Sequence, residues 1–237
     1  MQKISHEQQM IWFDDNYLTV DPHCCFDIDF WRQQNAIVGS AQGRGTTWFV
    51  AGDKMEMALR HYRRGGLFGK LVSDSYWFTS WDQTRSYAEL MLLKVLREGG
   101  VNVPRPVAAK AEKKGCVYRA DILVEKIPHS RDLVALLIES SLPSSVWHQI
   151  GIMIRKMHDL QVCHTDLNAH NILLDMDQQV WLIDFDKCYQ QSGDSWKKDN
   201  LARLERSFIK EVKKRNIQWQ PQDWQALCDG YRGDSER

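Results

Sequence analysis

Two oxygen-bearing side chains flank a short apolar segment in the second half of the chain. Asn171 precedes the segment ILLDMDQQVWLI, and Asp184 follows it. The arms ILLD and VWLI predict a β-hairpin that turns at MDQQ, with Ile172 opposite Ile183. Facing residues on antiparallel strands lie about 5 Å apart. That register would make Asn171 and Asp184 neighbours.

An amide oxygen and a carboxylate oxygen at that separation suit Mg²⁺, which prefers hard oxygen ligands. Asp186 would share a face with Asp184 if the chain stays extended between them. Asp166, in the loop that enters the hairpin, could accept a proton or a hydrogen bond from an attacking hydroxyl. These residues indicate the centre of a phosphotransferase, and a polar loop ahead of a plain hairpin is the alternative.

The same residues resemble the catalytic motifs of the protein-kinase superfamily. The stretch HTDLNAHN, from His164 to Asn171, resembles the HRDLxxxN catalytic loop. The stretch DFD, from Asp184 to Asp186, resembles the DFG metal motif. The resemblance implies ATP and Mg²⁺ as cofactors, Asp166 as the catalytic residue, and Asn171 and Asp184 as the metal ligands.

Three departures from the protein-kinase pattern indicate which branch of the superfamily the chain resembles. Thr165 stands where protein kinases usually have an arginine, Asn168 where they have a lysine, and Asp186 where they have a glycine. No APE motif follows. Because these features serve activation loops and peptide docking, their absence favours the small-molecule branch, of which aminoglycoside and choline kinases are examples.

The elements that must position these residues follow from hydrophobic patterning. Strands are predicted at IVGSA, TTWFV and EMALRHY between about residues 37 and 62, with a long loop at 63–84. A helix is predicted from residue 85, followed by a hairpin that turns at EKKG. Ser130 is expected to cap the helix DLVALLIES. A helix should follow Pro143, and an amphipathic helix should begin near Ser195.

This order of elements predicts an α+β, bilobal protein-kinase-like fold. Residues 1–127 would form a small β-rich N-lobe with the Gly-rich turn, the sheet and one helix. Residues 128–237 would form a mainly helical C-lobe with the catalytic and metal loops. The two lobes would form one kinase-like domain around a shared cleft.

A Gly-rich turn between the first two of these strands is a candidate phosphate loop. Its residues are Gly39, Gly43, Arg44 and Gly45. Glycines let backbone N–H groups approach phosphate oxygens closely. The pattern is not GxGxxG, so an ordinary hairpin turn is the alternative. The position of the turn in a kinase-like chain favours the phosphate loop.

Further nucleotide contacts follow from the resemblance alone. Met57-Ala58-Leu59-Arg60 stands where protein kinases have V-A-I-K, so Arg60 would take the place of the phosphate-pairing lysine. Arginine can hold phosphate bidentately, although the exchange is not neutral. Glu89 would be the helix glutamate that pairs with this cation. Glu125 and Ile127 would belong to the hinge that reads adenine.

The acceptor is suggested by a closer resemblance. The segments GRGTTWFV, LRHYRRGGL, CHTDLNAHNILLD and WLIDFDKC are similar to those of 3-deoxy-D-manno-octulosonic acid (Kdo) kinases. The resemblance implies phosphorylation of the 4-hydroxyl of Kdo on a lipid A precursor, by a peripheral protein on the cytoplasmic side of the inner membrane. An anionic glycolipid could meet a basic and aromatic loop made of Arg63, Arg64, Phe68, Lys70, Tyr76, Trp77, Phe78 and Trp81. The alternative is a solvated loop whose aromatic side chains pack onto the core.

Other acceptors and a non-catalytic role stay open at this point. The second hypothesis is a kinase whose acceptor is heptose, an aminosugar, an antibiotic or a protein. The third hypothesis is a non-catalytic pseudokinase. Lys and Arg total 31, as do Asp and Glu, so nothing indicates a nucleic-acid partner. We expect no secretory signal and no membrane span, because no stretch approaches about 18 uncharged apolar residues.

Overall fold

The structure is a computed structural model that describes residues 1–43, 45–64 and 74–233. The chain divides into two compact units. The first comprises Met1–Lys94 and Arg105–Lys126, and the second comprises Val95–Pro104 and the chain from Ile127 onward. Residues 95–104, which the sequence-based division assigned to the N-lobe, therefore group with the second unit.

An antiparallel sheet dominates the first unit. The elements of this unit are β1 Gln2–His6, β2 Gln9–Phe13, α1 Ile28–Gln33, β3 Ile37–Gln42, β4 Thr46–Ala51, β5 Glu56–His61, β6 Tyr76–Trp77, α2 Arg85–Glu98, β7 Pro106–Lys114 and β8 Val117–Glu125, and α2 ends in the second unit. The strand order within the described residues is β1-β2-β7-β8-β5-β4-β3, and β6 pairs with β8.

Apolar side chains cover both faces of this sheet. Ile11 and Leu123 pack with Trp31 of α1, whereas Trp12 and Ile122 pack with Leu90 of α2. Adjacent residues of one strand belong to different clusters because side chains alternate along a strand. The strands predicted at 37–62, the helix from 85 and the β7–β8 hairpin are confirmed. The hairpin turns at residues 115–116 and not at EKKG, because β7 continues through Lys114, which pairs with Val117. The elements β1, β2 and α1 were not predicted, nor was β6, which lies within the predicted long loop.

The second unit is mainly helical. Its elements within the described residues are β9 Arg131–Asp132, α3 Leu133–Glu139, α4 Ser144–Asp159, β10 Val162–Cys163, β11 Ile172–Leu174, β12 Val180–Leu182, β13 Tyr189–Gln190, α5 Ser195–Arg215 and α6 Pro221–Arg232. The helices predicted after Pro143 and near Ser195 are confirmed. Val146, Ile150 and Ile154 of α4 are buried, as the predicted apolar face requires.

The capping residue predicted for α3 is wrong. The N-cap is Asp132, whose side chain accepts a hydrogen bond from the N–H of Ala135 at 3.2 Å. Ser130 instead donates to the carbonyl of Ile127 at 2.9 Å. A capping residue bonds N–H groups two or three positions into the helix, so a serine that turns back towards the preceding segment cannot cap α3.

Helices α4 and α6 approach through two glycines. A Cβ atom added to Gly151 would lie 2.0 Å from the carbonyl oxygen of Leu227, and one added to Gly230 would lie 2.0 Å from that of His148. Real Cβ atoms do not come this close to another atom. The backbones of the two helices therefore touch at a distance that only glycine permits.

His158 of α4 predicts how stability depends on pH. Its Nε2 lies 3.0 Å from Oδ1 of Asn200, its Nδ1 lies 2.8 Å from the Tyr231 hydroxyl, and burial lowers its pKa to about 4. The unfolded chain binds a proton near pH 6.5 that the folded chain does not take up. The contribution of His158 to stability should therefore be complete above pH 6.5 and fall by about 3 kcal/mol between pH 6.5 and 4, as measured by urea unfolding followed by tryptophan fluorescence.

The control for this prediction compares variants. His158→Gln should flatten the fall in stability, and the same change at the exposed His23 should leave it in place. His61 acts with the opposite sign, because its hydrogen bond to Asp121 raises its pKa and the stability it adds is lost as pH rises. A fall of equal size in the wild type and in His158→Gln would contradict the assignment to this residue.

Candidate active site

The catalytic loop is held from within by a buried histidine. His164 is fully buried, and its Nε2 donates to the carbonyl of Ile183 at 3.0 Å. Its Nδ1 accepts the N–H of Asp166 at 3.3 Å. Burial lowers the pKa of His164, so the ring is neutral and can both donate and accept. The ring thereby joins the loop before Asn171 to the end of the hairpin.

The side chain of Asp166 stands at the open side of this loop. It is 52% exposed, and its Oδ1 lies 3.3 Å from Nη1 of Arg203 on α5. Its backbone carbonyl accepts bonds from the side-chain amides of Asn168 and Asn171, each at 2.9 Å. The backbone of Asp166 is therefore fixed while its carboxylate can be reached from solvent.

The hairpin brings Asn171 close to Asp184, but not in the predicted register. Ile172 pairs with Leu182 rather than Ile183, and the N–H of Ile183 donates to the carbonyl of Asn171 at 3.0 Å. The predicted pairing of Ile172 with Ile183 is therefore wrong by one residue. Asp184 directly follows the partner of Asn171 and does not lie opposite it.

Asp175 explains the shift in register. Its Oδ1 accepts the N–H groups of Asp177 at 3.0 Å and Gln179 at 2.9 Å, and its Oδ2 accepts the indole N–H of Trp181 at 2.8 Å. Asp175 thereby joins the turn instead of the strand, as aspartates that bond their own backbone do. The turn then spans residues 175–179, one residue more than MDQQ.

The chain does not stay extended after the hairpin. Asp184 has a φ of 63° and Lys187 a φ of 66°, both in the left-handed region. Phe185 is buried, and its ring lies 4.8 Å from that of His164. The expectation that Asp184 and Asp186 share one face of an extended strand is therefore wrong, because the chain turns at Asp184 to bury Phe185.

A divalent cation fits the oxygens that this loop offers. The amide nitrogen of Asn171 is bonded to the Asp166 carbonyl, so the amide oxygen is the end that can face a cation. The carboxylate of Asp184 supplies a second hard oxygen. The described residues contain no group of three or more His, Cys, Asp or Glu side chains suited to a metal. A site of few protein oxygens suits Mg²⁺, which keeps several waters and takes phosphate oxygens as ligands.

The first unit contains the ion pair that the resemblance implies. Nη2 of Arg60 on β5 lies 2.6 Å from both carboxylate oxygens of Glu89 on α2. The hydroxyl of Tyr62 donates to the same carboxylate at 2.5 Å. Glu89 is only 5% exposed. A buried carboxylate therefore holds the Arg60 guanidinium in one place, while 26% of the Arg60 side chain stays exposed.

Replacing Glu89 by Gln should weaken ATP binding. The neutral amide keeps the volume of the carboxylate but loses the charge that orients Arg60. We expect the KM for ATP to rise about tenfold, in line with the loss of one charged hydrogen bond. Steady-state kinetics at saturating acceptor would measure this change. The matched control is Glu98→Gln at the end of α2, and an equal effect there would contradict the role of Glu89.

The Gly-rich turn is the hairpin between β3 and β4. A bulge interrupts the pairing of these strands between Ile37 and Gly39, and Gly39 has a φ of 158°. The N–H of Gly43 donates to the carbonyl of Gly45 at 2.9 Å. That N–H is therefore engaged within the turn. Arg44, the fourth residue predicted for this loop, lies outside the described residues.

The predicted hinge lies at the end of β8. The N–H of Glu125 donates to the carbonyl of Arg105, and the N–H of Lys126 donates to that of Glu56, both at 2.9 Å. Within the described residues no hydrogen bond of the Ile127 N–H is seen, so it is the one of these three N–H groups that is open to a ligand. The contact of Glu125 and Ile127 with a nucleotide base stays a prediction.

Sequence reasoning missed three supporting side chains. Tyr62 donates to Glu89, and Asn200 and Ser207 of α5 bond the backbone of the catalytic loop. The helical spacing of Asn200 and Ser207 was visible in the sequence. Their partners were not, because nothing local shows which face of α5 meets the loop.

The hydrogen-bonded loop around Asp166 and the oxygens of Asn171 and Asp184 are features of a protein-kinase-like phosphotransferase that acts on a hydroxyl group. None of the helices in the described residues is both long and apolar enough to span a membrane.

The sequence model of the family described as "Lipopolysaccharide kinase (Kdo/WaaP) family" matches residues 28–231. The chain belongs to this family. It is a kinase, and kinases take their phosphoryl group from ATP.

Similar proteins agree with this membership. A 3-deoxy-D-manno-octulosonic acid kinase of Photobacterium profundum is 62% identical over 98% of this chain and 98% of its own length. One of Vibrio cholerae serotype O1 is 60% identical, with the same coverage of both chains. A solved structure titled "WaaP in complex with acyl carrier protein" gives a TM-score of 0.62 at 15% identity, over 95% of this chain and 89% of that one. This last likeness shows the fold alone, and it confirms the predicted fold class.

Proposed function

We propose that this protein transfers the γ-phosphoryl group of ATP to the 4-hydroxyl of Kdo on a lipid A precursor. The observation that carries the proposal is the similarity to Kdo kinases along nearly the whole of both chains. The side chains that the chemistry needs, Asp166, Asn171, Asp184 and Arg60, are all present. A specific acceptor hydroxyl is the part that goes beyond family membership.

In this reaction the 4-hydroxyl oxygen attacks the γ-phosphorus in line with the bond to the β-phosphate oxygen. That bond breaks, ADP leaves, and the hydroxyl proton passes to the carboxylate of Asp166. Asp166 can meet the hydroxyl because its side chain is half exposed while its backbone is fixed. Most of the rate enhancement then comes from positioning and charge neutralisation.

Two groups would balance the charge of the phosphates. Asn171 and Asp184 would hold Mg²⁺, which would supply positive charge to offset that of the phosphates. Arg60 would supply a second positive charge from β5, and Glu89 fixes its direction. Arginine presents a planar fork of donors to phosphate, so it can take the lysine's place with a different geometry.

We further propose that the protein works at the cytoplasmic face of the inner membrane without crossing it. The proposed acceptor is a lipid, so the sugar is presented at a membrane surface. Trp77 is 69% exposed, and exposed indoles favour the membrane–water interface. Arg64 bonds the Ser75 carbonyl at 2.7 Å, close to Trp77 in the chain, and adds a cation that anionic headgroups attract. Three other aromatics of the predicted loop do not face solvent as Trp77 does, because Tyr76 is buried in the core and Phe78 and Trp81 pack against it. Phe68 and Lys70 lie outside the described residues.

The experiment is phosphate transfer from labelled Mg-ATP to four acceptors. These are a Kdo-bearing lipid A precursor, a heptosylated acceptor, kanamycin and casein. We expect label on the Kdo lipid alone, and product analysis should place the phosphate on the 4-hydroxyl. Label on another acceptor only would overturn the acceptor and keep the kinase. ATP binding with no transfer to any of the four would favour a non-catalytic protein.

A further inference from the structure

Helix α5 contacts the catalytic loop at three positions. The amide of Asn200 donates to the carbonyl of His164 at 2.7 Å. The hydroxyl of Ser207 accepts the N–H of Ala169 at 3.0 Å. Between these two bonds, Arg203 reaches the carboxylate of Asp166. Because residues three and four apart share a face of a helix, α5 is fixed along the loop and Arg203 is fixed at the catalytic residue.

The contact with Asp166 engages only one nitrogen of the Arg203 guanidinium, and most of its N–H donors make no hydrogen bond to the described residues. One nitrogen, Nη1, lies 3.3 Å from one carboxylate oxygen. A guanidinium has five N–H donors. The side chain of Arg203 is 50% exposed, and its contact with Asp166 is its only hydrogen bond or ion pair within the described residues. Exposed pairs of this kind contribute little to stability, about 0 to 1 kcal/mol. A cation with donors to spare therefore stands where an acceptor hydroxyl must arrive.

The chemistry of the acceptor, which rests on the proposed function, supplies a partner for this cation. The name 3-deoxy-D-manno-octulosonic acid places a carboxylate on carbon 1 and the keto group on carbon 2. In the ring form, carbon 2 bears the carboxylate, and only the deoxygenated carbon 3 separates it from carbon 4. When the 4-hydroxyl meets Asp166, the sugar carboxylate comes close to the same anion. Two carboxylates in one place repel each other unless a cation lies between them.

We propose that Arg203 binds the carboxylate of the acceptor sugar and so selects an acidic sugar at this site. The guanidinium keeps its contact with Asp166 through one edge and offers another edge to the substrate. Arginine suits this role because its planar donors match a carboxylate bidentately. Lys197, another cation of α5, is paired with Asp194 at 2.6 Å, and Arg203 is the cation that contacts Asp166 within the described residues. A neutral sugar would leave the spare donors of Arg203 without an ionic partner.

The test compares two acceptors on three proteins. The acceptors are the Kdo-bearing lipid A precursor in detergent and the same molecule with the Kdo carboxyl methylated. The proteins are the wild type, Arg203→Gln and the control Arg206→Gln, which removes an exposed positive charge one turn further along α5. For the wild type and the control, methylation should raise the acceptor KM about 10- to 100-fold, as the loss of a charged hydrogen bond does. For Arg203→Gln, the acid and the ester should have similar KM values.

Further readouts separate this role from a structural one. The KM for ATP and the melting temperature should be unchanged in Arg203→Gln, and Arg203→Lys should restore part of the preference for the acid. If Arg203→Gln still prefers the acid by the wild-type factor, the proposal is overturned. A lower kcat with an unchanged acid preference would also overturn it, because Arg203 would then act only through Asp166. A wild type with no activity on the Kdo lipid would instead overturn the proposed function.

Discussion

Replacing Asp166 by Asn is expected to lower kcat by about 10²- to 10⁴-fold, the usual contribution of a positioned acid or base. The amide of asparagine keeps the size of the side chain but cannot take the hydroxyl proton. The protein should stay folded, because the Asp166 side chain is 52% exposed and the loop is held by backbone bonds. The KM for ATP should change little. Transfer of labelled phosphate under single-turnover conditions measures the loss at the chemical step.

The matched control is Asp177→Asn, in the turn that joins β11 to β12. Asp177 is also an exposed aspartate, and its side chain makes no hydrogen bond or ion pair within the described residues. Full activity in this control would show that the loss depends on position and not on net charge. Activity of Asp166→Asn within threefold of the wild type would show that Asp166 takes no part in the chemical step.

Replacing Gly151 by Ala should destabilise the second unit by about 3 kcal/mol or more, the upper range for an overpacked core. The new Cβ would lie 2.0 Å from the Leu227 carbonyl oxygen and 2.6 Å from the Tyr231 nitrogen. Both atoms belong to the backbone of α6, so no side chain can rotate away to make room. The helices must separate, and they would expose the apolar contacts between them. Urea unfolding followed by far-UV circular dichroism measures the loss.

The sign of the change in stability shows whether Gly151 is packed against α6. At an exposed helical site, alanine stabilises a helix by about 1 kcal/mol relative to glycine. Gly151→Ala should have the opposite sign because of the close approach of α6. Gln149→Ala, at an exposed position of the same helix, is the control and should leave stability unchanged or slightly higher. Gly230→Ala should resemble Gly151→Ala, since its Cβ would meet the His148 carbonyl. A stabilised Gly151→Ala would disprove the contact.

Local patterns were enough to predict most of the helices and strands. The apolar face of α4 has the period of a helix, and the arms of the β7–β8 hairpin meet at Gly115, whose φ is 62°. The local hairpin of β1 and β2 was missed. It joins the sheet through β2, which pairs with β7 about a hundred residues further along the chain, and no local pattern indicates that partner.

For the site, too, local sequence patterns identify some residues, whereas other contacts depend on tertiary packing. The spacing of Asp166, Asn171 and Asp184 reflects the loop and hairpin that hold them, so sequence could identify this group. The register of the hairpin depends on whether Asp175 extends the strand or caps the turn, and its side-chain bonds to Asp177 and Gln179 decide for the turn. The contact between Arg203 and Asp166 depends on how α5 packs, which no local pattern specifies.

The short connection after the metal loop affects how the activity can be controlled. Only residues 187–194 separate Asp186 from the start of α5, and β13 within them pairs with β10, directly before the catalytic loop. This connection has no room for a long segment that could fold over the site or be modified to open it. We therefore expect that the activity is not controlled by an activation loop between Asp186 and α5.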